Sequence, residues 1–255
     1  MDTRAHGGGI GRSIVAAAAF LTRLPVDLRG VVEPGDIARG VVVFPVVGAL
    51  IGACAAGVAW TLRTAFPAGV AAVGAVAVEV ILTGGLHVDG LADTCDGYGA
   101  STRERALEVM RDHSIGTYGA VAIVVDLLLK TVAVAGLVDR SGGLWTLVAA
   151  GAVSRAIVGV LGTETPYARS SVGIGGVLCD HGRPIWAASA AILGVVIASA
   201  TAGTRGLIAS AVAAGVSGVW TWRCLRRLGG MTGDTLGATV EGTQAAVLLV
   251  GLAFR

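Results

Sequence analysis

The sequence predicts an all-α fold, a polytopic integral-membrane helical bundle of about seven transmembrane helices with two further helices at the interface, one N-terminal and one over residues 103–113. Three observations predict it. Hydrophobic residues fill 54% of the 255 positions and charged residues only 14%, and the mean hydropathy of +0.78 exceeds what the core of a soluble domain requires. Apolar windows of the ~20 residues that cross a bilayer recur along the chain. Small residues are dense within them, as at Gly48, Gly52 and Gly57, so helices can pack by backbone contact.

Taken in order, residues 10–24 come first. Arg4 and Arg12 before an apolar run imitate a secretory signal, but Arg23 and Pro25 follow with no small-residue cleavage pattern, so an uncleaved interfacial helix is expected. Spans are predicted at 40–62, 68–86, 115–138, 143–162, 184–203, 205–222 and 238–254, with Pro45 able to kink the first. Between the second and third, residues 103–113 carry an apolar stripe of Ala106, Leu107, Val109 and Met110 between charges, the pattern of an amphipathic helix on the membrane surface or of a solvated loop helix. No internal repeat stands out, so residues 1–255 read as one membrane-embedded domain.

Threading seven spans sets Arg29, Arg39, residues 84–113, 163–183 and 223–237 on one side of the membrane. That side also holds most of the arginines, which marks it as cytoplasmic. The net charge of +2 and the low aromatic content exclude a nucleic-acid surface. Cys54, Cys95, Cys179 and Cys224 stand far apart, indicating free thiols rather than a zinc or disulfide framework.

Residues 84–97, GGLHVDGLADTCDG, set one histidine and three aspartates into this apolar background. An aspartate facing lipid at mid-bilayer costs roughly 2.5–3.5 kcal/mol, so Asp89, Asp93 and Asp96 must face water, a metal or a substrate. Their i, i+4, i+7 spacing puts the carboxylates on one helical face. A divalent cation best keeps three such anions ionised, and all-oxygen ligation suits Mg²⁺ or Mn²⁺. The plainer alternative is a solvated helix terminus, weakened by Gly90 and Gly97. His87 suits a general base, a phosphate contact or a structural hydrogen bond. Arg103, Arg105 and Arg111 suit phosphate oxygens or anionic lipid headgroups.

Two more polar groups stand on the same side. In residues 226–237, followed by Glu241, the glycines let backbone amides approach an anion and Asp234 adds a hard oxygen ligand. Arg155 lies inside a span, which makes it a functional candidate unless it snorkels, and Tyr167 and Arg169 follow in the next loop. Tyr167 could stack on a base or anchor the interface. Asp126 and Lys130, at i and i+4, are expected to neutralise each other as a buried pair rather than to relay protons; Glu79 stays open.

Together these residues resemble the cobalamin synthase family, the adenosylcobinamide-GDP ribazoletransferases, integral-membrane enzymes that join the two halves of adenosylcobalamin. The resemblance spans nearly the whole chain: FLTRLPV at 20–26, Arg39 and Gly40 with Phe44 and Pro45, residues 84–97, LEVMRDHSIGTYG at 107–119, Ser154 and Arg155, Tyr167 to Arg169, and residues 229–237 with Glu241. His113 departs from a position where the family often has Ser, and Ser170, Ser171 and Val172 break the usual continuation after Arg169.

The resemblance implies Mg²⁺-dependent transfer of the adenosylcobinamide phosphoryl group from adenosylcobinamide-GDP to α-ribazole or its 5′-phosphate, releasing GMP. Asp89, Asp93 and Asp96, with Asp234, would hold the metal. Arg111, Arg155 and Arg169 would bind phosphates, and His87 or an aspartate such as Asp93 would accept the ribazole hydroxyl proton. Arg39, Arg103, Tyr167, Gly230, Thr232 and Gly233 complete the expected substrate contacts. The partners are these substrates and the lipid bilayer of the cytoplasmic membrane, with a homo-oligomer left open.

Two other readings carry different signatures. A CDP-alcohol phosphotransferase-like lipid synthase would show D-x-x-D-G-x-x-A-R followed by G-x-x-x-D-x-x-x-D, whereas this chain has aspartates at 89, 93 and 96. An ion-coupled transporter using Asp126, Lys130 and Glu79 would concentrate polar residues near the midplane and show two related halves.

Overall fold

A computed structural model describes residues 10–23, 33–112, 114–169 and 174–254. Arg4, Leu24 to Val26, Arg29, His113 and Ser170 to Val172, all named above, lie outside the described residues. The helices are α1 (Ile10–Leu21), α2 (Pro34–Gly40), α3 (Phe44–Arg63), α4 (Ala68–Thr83), α5 (Leu86–Tyr98), α6 (Arg103–Val109), α7 (Thr117–Leu137), α8 (Trp145–Glu164), α9 (Ile174–His181), α10 (Pro184–Leu228) and α11 (Gly233–Ala253). A 3₁₀ turn, Val41–Val43, joins α2 to α3, so the chain is broken before Pro45, which sits in the first turn of α3.

The run Pro34–Arg63 and the helices α7, α8, α10 and α11 are long and apolar enough to cross a membrane, and α4 with α5 passes as a pair bent by 88°. With its 45 residues α10 would extend about 67 Å as one rod, twice the ~30 Å hydrocarbon core. It folds back instead at Gly203, whose φ of 59° and ψ of −139° lie outside helical space. Gly206 then meets Ala198 so closely that a Cβ would lie 2.0 Å from its carbonyl oxygen. The break at Gly203 thus falls between the windows predicted at 184–203 and 205–222.

Small residues set the packing of the bundle. A Cβ on Gly48 would lie 2.0 Å from the Gly151 carbonyl oxygen and one on Gly52 2.2 Å from that of Leu147, so α3 and α8 touch along their backbones. Gly57 meets nothing within 4 Å, so it takes no part in this contact. Ala149, Ala150, Ala152 and Val153 bury α8 at the bundle centre. The 12-residue α1 is too short to span; it buries Ala16, Ala17 and Leu21 and packs on α2 and α3.

The bend between α4 and α5 is made by Gly84 and Gly85, both left-handed at φ 62° and 72°. It turns α5 away from the axis of α4, so α5 runs across the end of α4. The predicted 103–113 helix is shorter, ending as α6 at Val109. Thr102 caps it by accepting from the Arg105 amide at 3.2 Å. Ala106 and Met110 pack with Ala168 and Leu228, so this part of the apolar stripe faces protein rather than lipid.

Candidate active site

The three polar segments meet at one end of the bundle. Strand-like pairing joins two of them: the Ala168 amide donates to the Met231 carbonyl and the Met231 amide to the Pro166 carbonyl, each at 2.8 Å. Arg103 ties in the third, donating to the carbonyls of Leu228 at 2.7 Å and Ala168 at 3.0 Å. Arg227 adds bonds to the Ala100 and Ser101 carbonyls. The opposite end is closed separately by the Arg63–Asp139 ion pair at 2.9 Å.

Asp89 and Asp93 come from α5, and Asp234 from the first turn of α11. They approach because α5 crosses α11 at two glycines: a Cβ on Gly90 would lie 2.8 Å from the Asp234 carbonyl oxygen and 3.3 Å from Cα of Gly237. Asp234 accepts from Arg169 at 2.6 Å. Burial pushes the Asp93 carboxyl up to about 7, helped by repulsion from Asp89 and Asp234 and opposed by Arg169. Asp89, Asp93 and Asp234 are therefore electrostatically coupled carboxylates, with the Arg169 guanidinium bonded to Asp234.

Asp96 is occupied differently. Its two carboxylate oxygens accept the Gly116 amide at 2.7 Å and the Gly119 amide at 2.8 Å, so it caps α7 from a neighbouring helix. Among the described residues no group of three or more His, Cys, Asp or Glu side chains is arranged to hold a metal ion.

A cavity of about 370 Å³ opens beside the carboxylates. Asp89, Asp234, Arg169, His87 and Tyr167 line it, and Phe20, Leu86, Val158 and Leu236 form its apolar walls. His87 is buried, and its Nδ1 has no hydrogen-bond partner among the described residues. Burial, followed by the charges of Arg155 and Lys130, holds its pKa well below the usual imidazole value, so the ring is neutral. A second cavity of about 330 Å³ lies beyond Arg169, lined by Arg103, Glu104, Leu107, Glu108, Arg111 and Ala168. Arg111 is exposed there.

Several expected contacts stand elsewhere or serve the framework. Arg155 is fully buried, bonding Ser154 at 3.1 Å, Gln244 at 3.3 Å and Glu79 at 3.4 Å. It lies too deep to grip a phosphate, because its carboxylate and amide partners are inside the bundle. Thr232 is the buried N-cap of α11, accepting from the Thr235 amide at 3.1 Å. Gly230 allows the loop pairing, since a Cβ there would lie 2.4 Å from the Pro166 carbonyl oxygen. Gly233 lines the first cavity. Arg39 sits 5.8 Å over the Trp186 ring, outside both linings.

Arg155 belongs to a polar layer at mid-helix. Lys130 pairs with Asp126 at 3.1 Å, as expected, and also with Glu241 of α11. Gln244 bonds Glu79, which settles the residue left open. Glu241, first grouped with the polar loop, thus lies in the core. A polar stripe at Asp234, Glu241 and Gln244, spaced i, i+7 and i+10 on one span, was the available signal. The midplane is therefore polar, but its ions are paired with one another, and the space beside them is about 10 Å³. The cavity residues Phe20, Leu86, Val158 and Leu236 carried no signal, since they look like any apolar helix residue.

The chain matches the family described as cobalamin-5-phosphate synthase over residues 13–252. Proteins named adenosylcobinamide-GDP ribazoletransferase are similar to it along almost their whole length. The one from Pseudomonas entomophila (strain L48) is 42% identical over 241 residues, covering 93% of this chain and 96% of its own. That of Klebsiella pneumoniae (strain 342) is 38% identical over 242 residues, with 93% and 98% covered. That of Escherichia coli (strain K12) is 38% identical over 243 residues, with 92% and 96% covered. No solved structure matches the chain.

Proposed function

Because this chain belongs to the cobalamin-5-phosphate synthase family, we propose that it is an adenosylcobinamide-GDP ribazoletransferase, catalysing the final joining step of adenosylcobalamin synthesis. A ribose hydroxyl of α-ribazole, or of its 5′-phosphate, attacks the phosphorus that carries adenosylcobinamide. A new phosphorus–oxygen bond forms, the pyrophosphate bond breaks, and GMP leaves with the bridging oxygen. The observation that carries the reading is the Asp234–Arg169 pair lining one cavity with Asp89 and His87, with Asp93 coupled to the same charges from the next turn of α5. Phosphoryl transfer depends on positioning and charge neutralisation rather than on covalent catalysis.

The donor set fits Mg²⁺. This ion takes one or two carboxylates and completes its shell with water and substrate phosphates, so a protein cage is not required. Asp89 and Asp93 would hold it, with Asp234 beside them, while Asp96 stays committed to α7. When bound, Mg²⁺ supplies charge neutralisation at the phosphates. Arg169 holds a phosphate oxygen and Arg111 a second. His87 is the proton acceptor: it is neutral and lines the cavity, whereas Asp93 lies outside that lining.

The active-site end faces the cytoplasm of a multi-pass protein in the cytoplasmic membrane. The arginine bias of that end supports this orientation. The test is to incubate purified membranes with adenosylcobinamide-GDP and α-ribazole, with and without Mg²⁺. GMP and the joined corrinoid should appear only with the metal. Folded protein that yields neither would reject the assignment.

A further inference from the structure

Two cavities flank Arg169, and their linings differ in kind. The inner one is walled by Phe20, Leu86, Val158 and Leu236, and its charged residues are balanced, Arg23 and Arg169 against Asp89 and Asp234, with His87 as a further hydroxyl acceptor. Its volume of about 370 Å³ falls in the range of small-molecule sites, roughly 300–1,000 Å³. The outer one brings Arg103, Arg111 and Arg169 against Glu104 and Glu108. Arg105 pairs with Glu108 at 2.8 Å, which offsets that carboxylate and leaves cationic charge in excess. Arg103 is fixed on two carbonyls, and Arg169 reaches both cavities.

We propose that the two substrates occupy separate compartments that meet at Arg169, with the guanosine monophosphate part of the donor in the outer, arginine-lined cavity and α-ribazole in the inner, apolar one. The inference rests on the transferase reading and adds a division that this reading does not require. Net charge drives it: a nucleotide phosphate gains from the excess of Arg103 and Arg111 over Glu104 in the outer cavity, whereas the inner cavity's charges are balanced and its apolar walls suit an uncharged aromatic nucleoside that offers its hydroxyl to His87. The scissile pyrophosphate bond then lies at the junction, beside Asp89 and Asp234, with the leaving GMP on the solvent side.

The test uses full-length protein in neutral detergent, with GMP and α-ribazole as calorimetric probes. Arg111→Ala should weaken GMP binding at least tenfold and leave α-ribazole binding within twofold. Val158→Phe should weaken α-ribazole at least tenfold and spare GMP; Leu86→Trp, at the exposed rim, is the second variant should Val158→Phe not fold. Reversed effects, equal loss of both ligands, or no GMP binding by the unaltered protein would overturn the division. An Arg111→Ala protein that binds GMP normally but loses affinity for phosphatidylglycerol vesicles would assign the outer cavity to lipid headgroups and overturn it too. Protein that binds both ligands as described yet makes no product would sink the transferase reading alone, whereas turnover with reversed variant effects would sink the division alone.

Discussion

Replacing Gly90 by alanine tests how closely the site depends on the crossing of α5 and α11. The added Cβ would stand 2.8 Å from the Asp234 carbonyl oxygen and 3.1 Å from its Cα, both backbone atoms that no side-chain rotation can move away. An unstrained contact needs ~3.5 Å, so α5 must shift outward by about 0.7 Å. That moves Asp89 and Asp93 relative to Asp234 and Arg169. A misplacement of ~1 Å costs about a hundredfold in rate, so kcat should fall roughly 10- to 100-fold. The fold should suffer less: overpacking costs about 1–3 kcal/mol, and alanine recovers about 1 kcal/mol of helix propensity. Gly242→Ala on α11, where a Cβ meets nothing within 4 Å, is the control. Product formation and detergent melting curves would be measured on all three proteins. Unchanged kcat in a folded Gly90→Ala protein, or an equal loss in Gly242→Ala, would refute the reasoning.

Three further outcomes are expected. Asp96→Asn should lower stability by about 1–3 kcal/mol through the α7 cap while keeping most of the specific activity, whereas Asp89→Asn and Asp93→Asn should abolish turnover; a folded but inactive Asp96→Asn enzyme would contradict this. Arg155→Met should destabilise by about 3–5 kcal/mol because it leaves Glu79 buried without its cation, and adding Glu79→Gln should restore much of the loss in a melting assay; a double variant no more stable than the single would argue against the pairing. For Asp93, a folded-state pKa raised to about 7 from 3.8 means that, without metal, its contribution to stability is fully present below about 4 and is lost as pH rises through about 7. Mg²⁺ binding must displace that proton, so affinity measured by titration should climb up to about tenfold per pH unit below 7 and level off above it. Asp93→Asn should flatten this slope.

Much of the fold was legible because lipid imposes so strict a rule on sequence. The windows at 184–203 and 205–222 were separable only by the short break around Gly203 and Thr204, yet α10 folds back there. Where the sequence left the fold open, the missing information was contact between helices. Asp96 shares a helical face with Asp89 and Asp93, and periodicity alone cannot tell that its oxygens meet the amides of Gly116 and Gly119. Arg155 read as a charge inside a span and Glu241 as an extension of the 226–237 segment, but each has a partner on another helix that no local pattern reveals. Sidedness set residues 84–113, 163–183 and 223–237 on one side, and parts of all three meet at the site, whereas the apolar walls of the cavity had no distinguishing chemistry.

The paired ions at mid-helix also bear on how the chain enters the membrane. Lys130 carries its counter-ion, Asp126, one turn away on the same helix, and Arg155 finds Glu79 on a helix synthesised before it. Each cation can therefore leave the translocation machinery with a carboxylate already at hand, as a neutral couple rather than a bare charge in hydrocarbon. Helix α11, made after all four of these residues, brings Glu241 and Gln244 to both couples. Until it arrives the charges are balanced but incompletely hydrogen-bonded, and its docking joins them into one layer in the same movement that delivers Asp234 to the site. Completion of the polar layer and completion of the active site are thus a single late event in biogenesis.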